Sequence, residues 1–156
     1  MLINKYDGNF VLLFTGDKVS TVILDLCKEL NMPVIFVDTG LYQEEVYEYL
    51  KLAEQYWCFR AEILKDERVV EESTAFGKEK CFNLLKEKIV LPYLENHGVP
   101  SLIEPIKFGK ETAEKEGIMS VFPLSNFSGP ETWLYIREKD LPYLELYNKG
   151  YKKCRL

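Results

Sequence analysis

Two continuously apolar segments, each followed by a short turn and a helical segment, constrain the fold of this chain most. Phe10 to Phe14 and Val34 to Val37 are apolar at every position, as parallel strands covered on both faces are. Between them, apolar residues recur at the spacing of a helix: Val22, Ile23, Leu26, Cys27 and Leu30. An acidic helix is predicted from about Glu44 to Trp57. This β-loop-α-β-loop-α order predicts a parallel sheet with right-handed crossovers.

The rest of the chain predicts further elements of the same kind. These are a strand from Phe59 to Leu64, a helix from Glu79 to Asn96 that Pro92 should kink or end, a strand from Ser101 to Ile106, a small polar helix from Lys110 to Glu116, a strand from Met119 to Leu124 and a last helix that begins at Pro130. Repeats, low-complexity segments and an inter-domain linker are absent from the sequence. We therefore expect residues 1–156 to form one domain.

Composition and charge exclude several classes of protein. Hydrophobic residues make up 47% of the chain and charged residues 29%, and no apolar run is long enough to span a bilayer. Asp7, Gly8 and Asn9 interrupt the first apolar segment before it could act as a signal peptide. The net charge of −5, with both signs interspersed, argues against a nucleic-acid binder. We expect a cytoplasmic protein with neither a membrane nor a nucleic-acid partner.

The cysteines and the histidine do not form a recognisable metal motif. Cys27, Cys58, Cys81 and Cys154 are far apart, without a CxxC pair, and His97 is the sole histidine. Cys27 and Cys58 are interpreted as small core residues. No metal site is expected from a ligand set this small.

The turn after the first strand has the chemistry of an anion site. A turn between a buried strand and a helix presents unpaired backbone N–H groups and the positive end of the helix dipole. Here it also supplies Thr15, Gly16, Ser20, Thr21 and the cation of Lys18. The pattern is neither the Walker loop nor the dinucleotide GxGxxG motif. Local chemistry alone therefore leaves a phosphate site and an ordinary turn both open.

Four segments in the same order resemble one known family. Phe14 to Val22 resembles the PP-loop of the adenine nucleotide α-hydrolase superfamily, whose usual pattern is SGGKDSTV. Val37 to Gly40 resembles the VDTG segment of phosphoadenylyl-sulfate (PAPS) reductases and of the related sulfate adenylyltransferase small subunits. Pro123 to Phe127 is similar to the PLxxW of this family. Trp133 to Tyr151 is close to its WxYI…LPYxxLYxxGY pattern and is the most specific match.

The resemblance implies a fold and a ligand. The fold would be a three-layer α/β/α arrangement with a mostly parallel, doubly wound sheet. The ligand would be an adenine nucleotide (ATP, adenylyl sulfate or PAPS), with Mg²⁺ as a candidate companion ion. Carried over by position, the phosphate contacts would be Thr15, Gly16, Asp17, Lys18, Ser20 and Thr21, and the nucleoside would border Asp38, Thr39 and Gly40. Lys107 would be a second anion contact, and adenine would lie against Leu13 and Phe36 or their neighbours.

Two positions of the PP-loop depart from the family pattern. Asp17 replaces the second glycine, and Val19 replaces the usual aspartate. A side chain at position 17 obstructs the close approach of phosphate, and its charge repels the ligand. Aspartate is also a favoured helix N-cap, so Asp17 could satisfy the N–H groups that a phosphate would otherwise bind. Both a retained ligand site and an internal cap remain open.

Sulfur chemistry has no obvious nucleophile in this sequence. PAPS reductases act through a thiolate in a C-terminal ECGLH-type segment, whereas the sequence here ends around Cys154. The iron–sulfur reductases hold their cluster with a CC pair and a CxxC, whereas Cys81 and Cys154 each stand alone here, so the four thiolates of a cluster are not expected within one chain. Three functions follow: an oxidoreductase or adenylyl-transferase-like enzyme of the PAPS reductase type, a nucleotide sensor without chemistry, or a scaffold subunit. A homodimer and a complex with a partner subunit are both open.

Overall fold

The computed structural model describes residues 9–105 and 110–150, which contain a six-stranded sheet. The strands are β1 (Phe10–Leu13), β2 (Val34–Val37), β3 (Ala61–Leu64), β4 (Ser101–Ile103), β5 (Thr112–Lys115) and β6 (Ile118–Val121). Their order across the sheet is β3-β2-β1-β4-β6-β5. All neighbouring pairs are parallel except β5 with β6. The parallel arrangement predicted for the first two strands is confirmed.

The strand order reverses direction at β1. The chain proceeds from β1 outward to β2 and β3, and then returns to the other side of β1 to add β4. In open α/β sheets, ligands bind outside the carboxyl ends of the strands at such a reversal. The crevice between the ends of β1 and β4 is therefore where this fold favours a ligand.

Helices cover both faces of the sheet, which confirms the three-layer prediction. They are α1 (Lys18–Cys27), α2 (Glu44–Tyr56), α3 (Glu67–Thr74), α4 (Lys78–Leu85), α5 (Leu91–Asn96) and α6 (Gly129–Glu138). Side chains of α1, α2 and α6 pack with Leu12 and Phe14 on one face. Side chains of α3, α4 and α5 pack with Val11 and Leu13 on the other. Alternate side chains of β1 thus contribute to two separate apolar cores.

The small polar helix predicted from Lys110 to Glu116 is wrong, because residues Thr112–Lys115 form the edge strand β5. Lys115 pairs with Ile118, so only two residues connect β5 to β6. These residues, Glu116 and Gly117, both have positive φ values, of 52° and 78°. Positive φ at both central positions is the geometry of a tight hairpin turn. This turn brings residues 112–115 alongside β6, where they pair as a strand and do not form a helix.

The helix predicted from Glu79 to Asn96 is present, and Pro92 changes its winding without ending it. A π-helical segment, Lys86–Val90, links α4 to α5, and Pro92 lies in the first turn of α5. The Leu91 N–H donates to the carbonyl of Lys86, five residues back, and this wider turn accommodates Pro92, which has no N–H to donate. The helix α3 was not predicted.

Within the described residues, no helix is both long and apolar enough to cross a membrane.

Candidate functional site

The turns that follow β1 and β2 lie at the same edge of the sheet. Leu12 pairs with Val34 and Leu13 with Ile35, so the parallel strands end at the same edge of the sheet, with β2 two residues longer there. The turn after β1 carries the residues predicted to bind phosphate, and the turn after β2 carries those predicted to border the nucleoside. The structure therefore brings the two predicted groups to one edge, next to the reversal of strand order.

Gly16 is the residue that lets the first turn adopt its shape. Its φ is +80°, a region that side chains with a Cβ rarely adopt. A Cβ at this position would lie 3.6 Å from Cγ1 of Val46, which is ordinary contact. The requirement for glycine is therefore conformational, and it places the turn directly before the start of α1.

Asp17 caps α1. The backbone N–H of Ser20 donates to Asp17 Oδ1 at 2.7 Å, and Asp17 itself has extended backbone angles. An N-cap carboxylate satisfies one of the N–H groups that have no acceptor within the helix, and its charge suits the positive end of the dipole. Asp17 thus holds a position where an anion would otherwise interact with this helix.

Lys18 is engaged through both its backbone and its side chain. Its backbone N–H donates to the hydroxyl of Tyr147 at 3.0 Å, a contact between residues 129 positions apart. Its ammonium group lies 5.4 Å from the ring centroid of Trp133, in cation–π geometry. A Cβ at Gly129 would lie 3.4 Å from Lys18 Nζ, which places the ammonium close to the start of α6.

Ser20 and Thr21 direct their hydroxyls into the protein. Both residues are fully buried, and both hydroxyls donate to the backbone carbonyl of Asp17 at 3.0 Å. Thr21 Oγ1 also lies 2.6 Å from the hydroxyl of Tyr49. Burial raises the pKa of Tyr49 above its ordinary value, so this phenol stays protonated. These two hydroxyls stabilise the start of α1 in this structure.

The turn after β2 is fixed by its own side chains. Asp38 Oδ1 accepts hydrogen bonds from the N–H of Gly40 at 2.8 Å and from the hydroxyl of Tyr47 at 2.7 Å. Thr39 Oγ1 accepts from the N–H of Leu41 at 3.2 Å. Burial, followed by the hydrogen bond to Asp38 and its charge, raises the pKa of Tyr47 to about 12. The Asp38 carboxylate is thus held in place with one donor from the turn and one from α2.

Two further parts of the prediction concern Lys107 and the adenine ring. Lys107 lies outside the described residues. Leu13 and Phe36 are almost completely buried on opposite faces of the sheet. Leu13 pairs with Ile35, so Phe36, one residue further along β2, points to the other face. An adenine ring that contacts one of these residues or its neighbours stays a prediction.

Sequence reasoning missed the partners of the first turn. Trp133, Tyr143 and Tyr147 pack against the core. The contacts of Trp133 and Tyr147 with Lys18 were not foreseen. The signal that could have suggested them is the run of aromatic residues that follows α6, whose polar hydroxyls need partners once the rings are partly buried.

The cysteines occupy three different environments. Cys27 is buried, as predicted, and burial raises the pKa of its thiol to about 12. The prediction that Cys58 is a core residue is wrong: it is exposed, with a φ of +55° just after α2. Trp57 turns inward there and leaves Cys58 on the surface. Cys81 is half-buried, and Cys154 lies outside the described residues.

Among residues 9–105 and 110–150, no group of three or more His, Cys, Asp or Glu side chains is placed to hold a metal ion.

Comparison with known families identifies the chain. The phosphoadenosine phosphosulfate reductase domain matches residues 9–154. The chain belongs to this family. Two bacterial relatives of this PAPS reductase-like chain are adenosine 5'-phosphosulfate reductases. That of Bacillus subtilis (reductase 2) is 27% identical, over 83% of this chain and 63% of the relative. That of Staphylococcus epidermidis is 26% identical, over 94% and 68%. The chain thus spans about two thirds of their length.

Solved structures agree with this PAPS reductase-like fold. PAPS reductase from Candida auris, determined as a phosphate complex, superposes with a TM-score of 0.75 at 21% identity, over 94% of this chain and 80% of the other. FMN adenylyltransferase from Candida glabrata, determined with ATP, superposes with a TM-score of 0.67 at 12% identity, over 97% and 55%. At these identities the likeness concerns the fold, and it confirms the resemblance seen in the sequence.

Proposed function

We propose that this protein binds an adenine sulfonucleotide at the carboxyl edge of β1 and β2 and takes part in sulfonucleotide reduction. The observation that carries the proposal is the meeting of two turns, 15–18 and 38–40, at one edge beside the reversal of strand order. Membership of the PAPS reductase domain family and relatives that are adenosine 5'-phosphosulfate reductases support this ligand class.

Each turn has a distinct role in the proposed complex. The turn after β1 would hold the phosphate, with the backbone of Thr15 and Gly16, the cation of Lys18 and the start of α1 facing it. The turn after β2 would border the nucleoside, and Asp38 would face the ribose while its other contacts keep it fixed. Lys107 would be a second anion contact, and Mg²⁺ would offset the charge of Asp17.

A second candidate function is a scaffold or subunit that does not bind nucleotide. The observation that favours it is the occupation of the α1 N-terminus from within the chain. The Asp17 carboxylate accepts from the Ser20 N–H, and the Tyr147 hydroxyl accepts from the Lys18 N–H. Both N–H groups belong to the first turn of the helix, where a phosphate would bind.

Calorimetric and thermal-shift titrations separate the two candidates. The ligands are adenylyl sulfate, PAPS, AMP and ATP, each with and without Mg²⁺. Nucleotide at 100 times its dissociation constant should stabilise the fold by about 2.7 kcal/mol. The Lys18→Met variant should bind more weakly. Lys139→Met is the matched control, because Lys139 also lies over an aromatic ring, that of Tyr135, at the other end of α6.

The outcomes of these titrations are distinct. Stabilisation by a sulfonucleotide, reduced in Lys18→Met and retained in Lys139→Met, supports the proposed site. A flat response to all four ligands favours the scaffold. Release of sulfite from adenylyl sulfate or PAPS, with thioredoxin or glutathione as the thiol donor, then distinguishes an enzyme from a sensor.

A further inference from the structure

The 3₁₀ turn Glu145–Lys149, called the strap below, contacts the phosphate turn that the proposed function requires. Lys18 is the first residue of α1, so its backbone N–H has no acceptor within the helix. The hydroxyl of Tyr147, in the middle of the strap, accepts this N–H at 3.0 Å. In a loaded phosphate turn, the N–H groups of this first helical turn face the anion. The strap therefore places an oxygen where a phosphate oxygen would go.

The side chain of Lys18 is held by the same part of the chain. Trp133 lies under its ammonium, and Tyr143 and Tyr147 meet the indole edge-on at centroid distances of 5.2 and 5.0 Å. Edge-on rings of this kind lock one another in orientation. The backbone N–H and the ammonium of Lys18 thus both contact one aromatic cluster, formed by Trp133, Tyr143 and Tyr147.

The strap is fastened by contacts of unequal strength. Leu146 is buried and anchors it to the core. Lys149 pairs with Glu45 at 3.1 Å, but the lysine is largely exposed, and such surface pairs contribute little. Displacement of the Tyr147 hydroxyl breaks its hydrogen bond with the Lys18 N–H, while the buried Leu146 keeps the strap on the core.

We propose that Tyr147 is an internal competitor of the nucleotide, so that ligand binding releases the strap from the phosphate turn. This inference rests on the proposed function. Two oxygens cannot both accept the single Lys18 N–H with full strength, so each weakens the binding of the other. Thermodynamic linkage requires the two effects to be equal in size. The position of the strap would then depend on whether a nucleotide occupies the site.

The Tyr147→Phe variant tests the competition, because it removes the hydroxyl and keeps the ring against Trp133. Its affinity for adenylyl sulfate, measured by calorimetry, should be about two- to tenfold higher than that of the wild type, the range expected for one net hydrogen bond. Tyr143→Phe is the matched control. The Tyr143 ring contacts the same indole and its hydroxyl donates to Asn148 within the strap, but this variant keeps the Tyr147 oxygen that accepts the Lys18 N–H, so its affinity should match the wild type.

Hydrogen exchange of the wild-type protein provides a second readout that requires no variant. Saturating adenylyl sulfate should speed exchange of strap amides such as that of Tyr147, which donates to the Leu144 carbonyl. Slower exchange there, or equal affinities of wild type and Tyr147→Phe, would overturn the competition and leave the proposed function intact. Absence of binding by both proteins would overturn both.

Discussion

Asp17 combines a helix cap with a charge next to the proposed phosphate, and one substitution separates the two effects. Asparagine caps helices about as well as aspartate, so Asp17→Asn should keep the stability of the fold while it removes the charge. At about 4 Å and an effective dielectric of about 20, the repulsion between two unit charges is about 4 kcal/mol, which is an upper limit here. We expect Asp17→Asn to bind adenylyl sulfate at least about tenfold more tightly in calorimetry.

Asp17→Ala is the companion variant for the cap itself. It removes the acceptor of the Ser20 N–H and should lower the free energy of unfolding by about 1 kcal/mol in urea titrations. An Asp17→Asn protein with unchanged affinity for every nucleotide would contradict the proposal that phosphate approaches this turn.

Asp25 is a buried carboxylate whose ionised form is stabilised by three donors. Burial alone would raise its pKa, but hydrogen bonds from Trp57 at 3.0 Å, Tyr135 at 2.7 Å and Lys28 at 3.2 Å hold its pKa below the ordinary value. Because the folded-state pKa lies below the unfolded value of about 3.9, this stabilisation is complete above that pH and is lost as the pH falls through the folded-state pKa.

The Asp25→Asn variant should therefore change the acid sensitivity of the fold. At neutral pH it should be less stable than the wild type by about 2 kcal/mol, because the three donors lose a charged acceptor. The difference should narrow as the pH falls below about 4. Urea unfolding at a series of pH values measures this convergence, and a constant difference at every pH would refute the role given to the charge.

At the scale of elements, the π-helical segment is joined to the sheet by a buried ion pair. Lys86 Nζ donates to Glu104 Oε2 at 2.7 Å and to Ser120 Oγ at 3.1 Å. Glu104 directly follows β4 and is 2% exposed, so it depends on Lys86 for its counter-charge. Removal of one partner of such a pair leaves an uncompensated buried charge.

Lys86→Met should accordingly destabilise the protein by about 3 kcal/mol in urea unfolding. Lys86→Met combined with Glu104→Gln should recover part of this loss, because the second change removes the stranded charge. If Lys86→Met costs less than about 1 kcal/mol, then the pair does not join this helix to the sheet in the way described.

Elements whose signals are local could be predicted from the sequence, and those decided by distant contacts could not. β1, α1, β2 and α2 each carry their own periodicity and appeared within a few residues of the predicted bounds. β5 has a polar sequence, and only its pairing with β6 and the turn at Gly117 make it a strand. Likewise, the predicted residues of the turns after β1 and β2 share an edge, whereas the contact between Lys18 and Tyr147 spans 129 positions and has no local signature.

At the scale of the whole molecule, one sheet separates two apolar cores, and we expect them to unfold together as a single domain. Both tryptophans, Trp57 and Trp133, pack against one core. Leu94 is fully buried in the other. The Leu94→Ala substitution should lower the free energy of unfolding by about 2–5 kcal/mol. In a cooperative domain, both faces of the sheet then unfold at the same lower urea concentration.

The tryptophan fluorescence of Leu94→Ala therefore tests this coupling, because the fluorophores lie on the face that the mutation does not touch. Its urea midpoint should fall together with that of the far-ultraviolet circular dichroism signal, as it should in Ile136→Ala, the control on the tryptophan face. A fluorescence transition that stays at the wild-type midpoint while the dichroism transition moves would mean that the two faces unfold separately. In that case the turns after β1 and β2, whose supporting helices α1 and α2 lie on the tryptophan face, would keep their geometry when the opposite layer is lost.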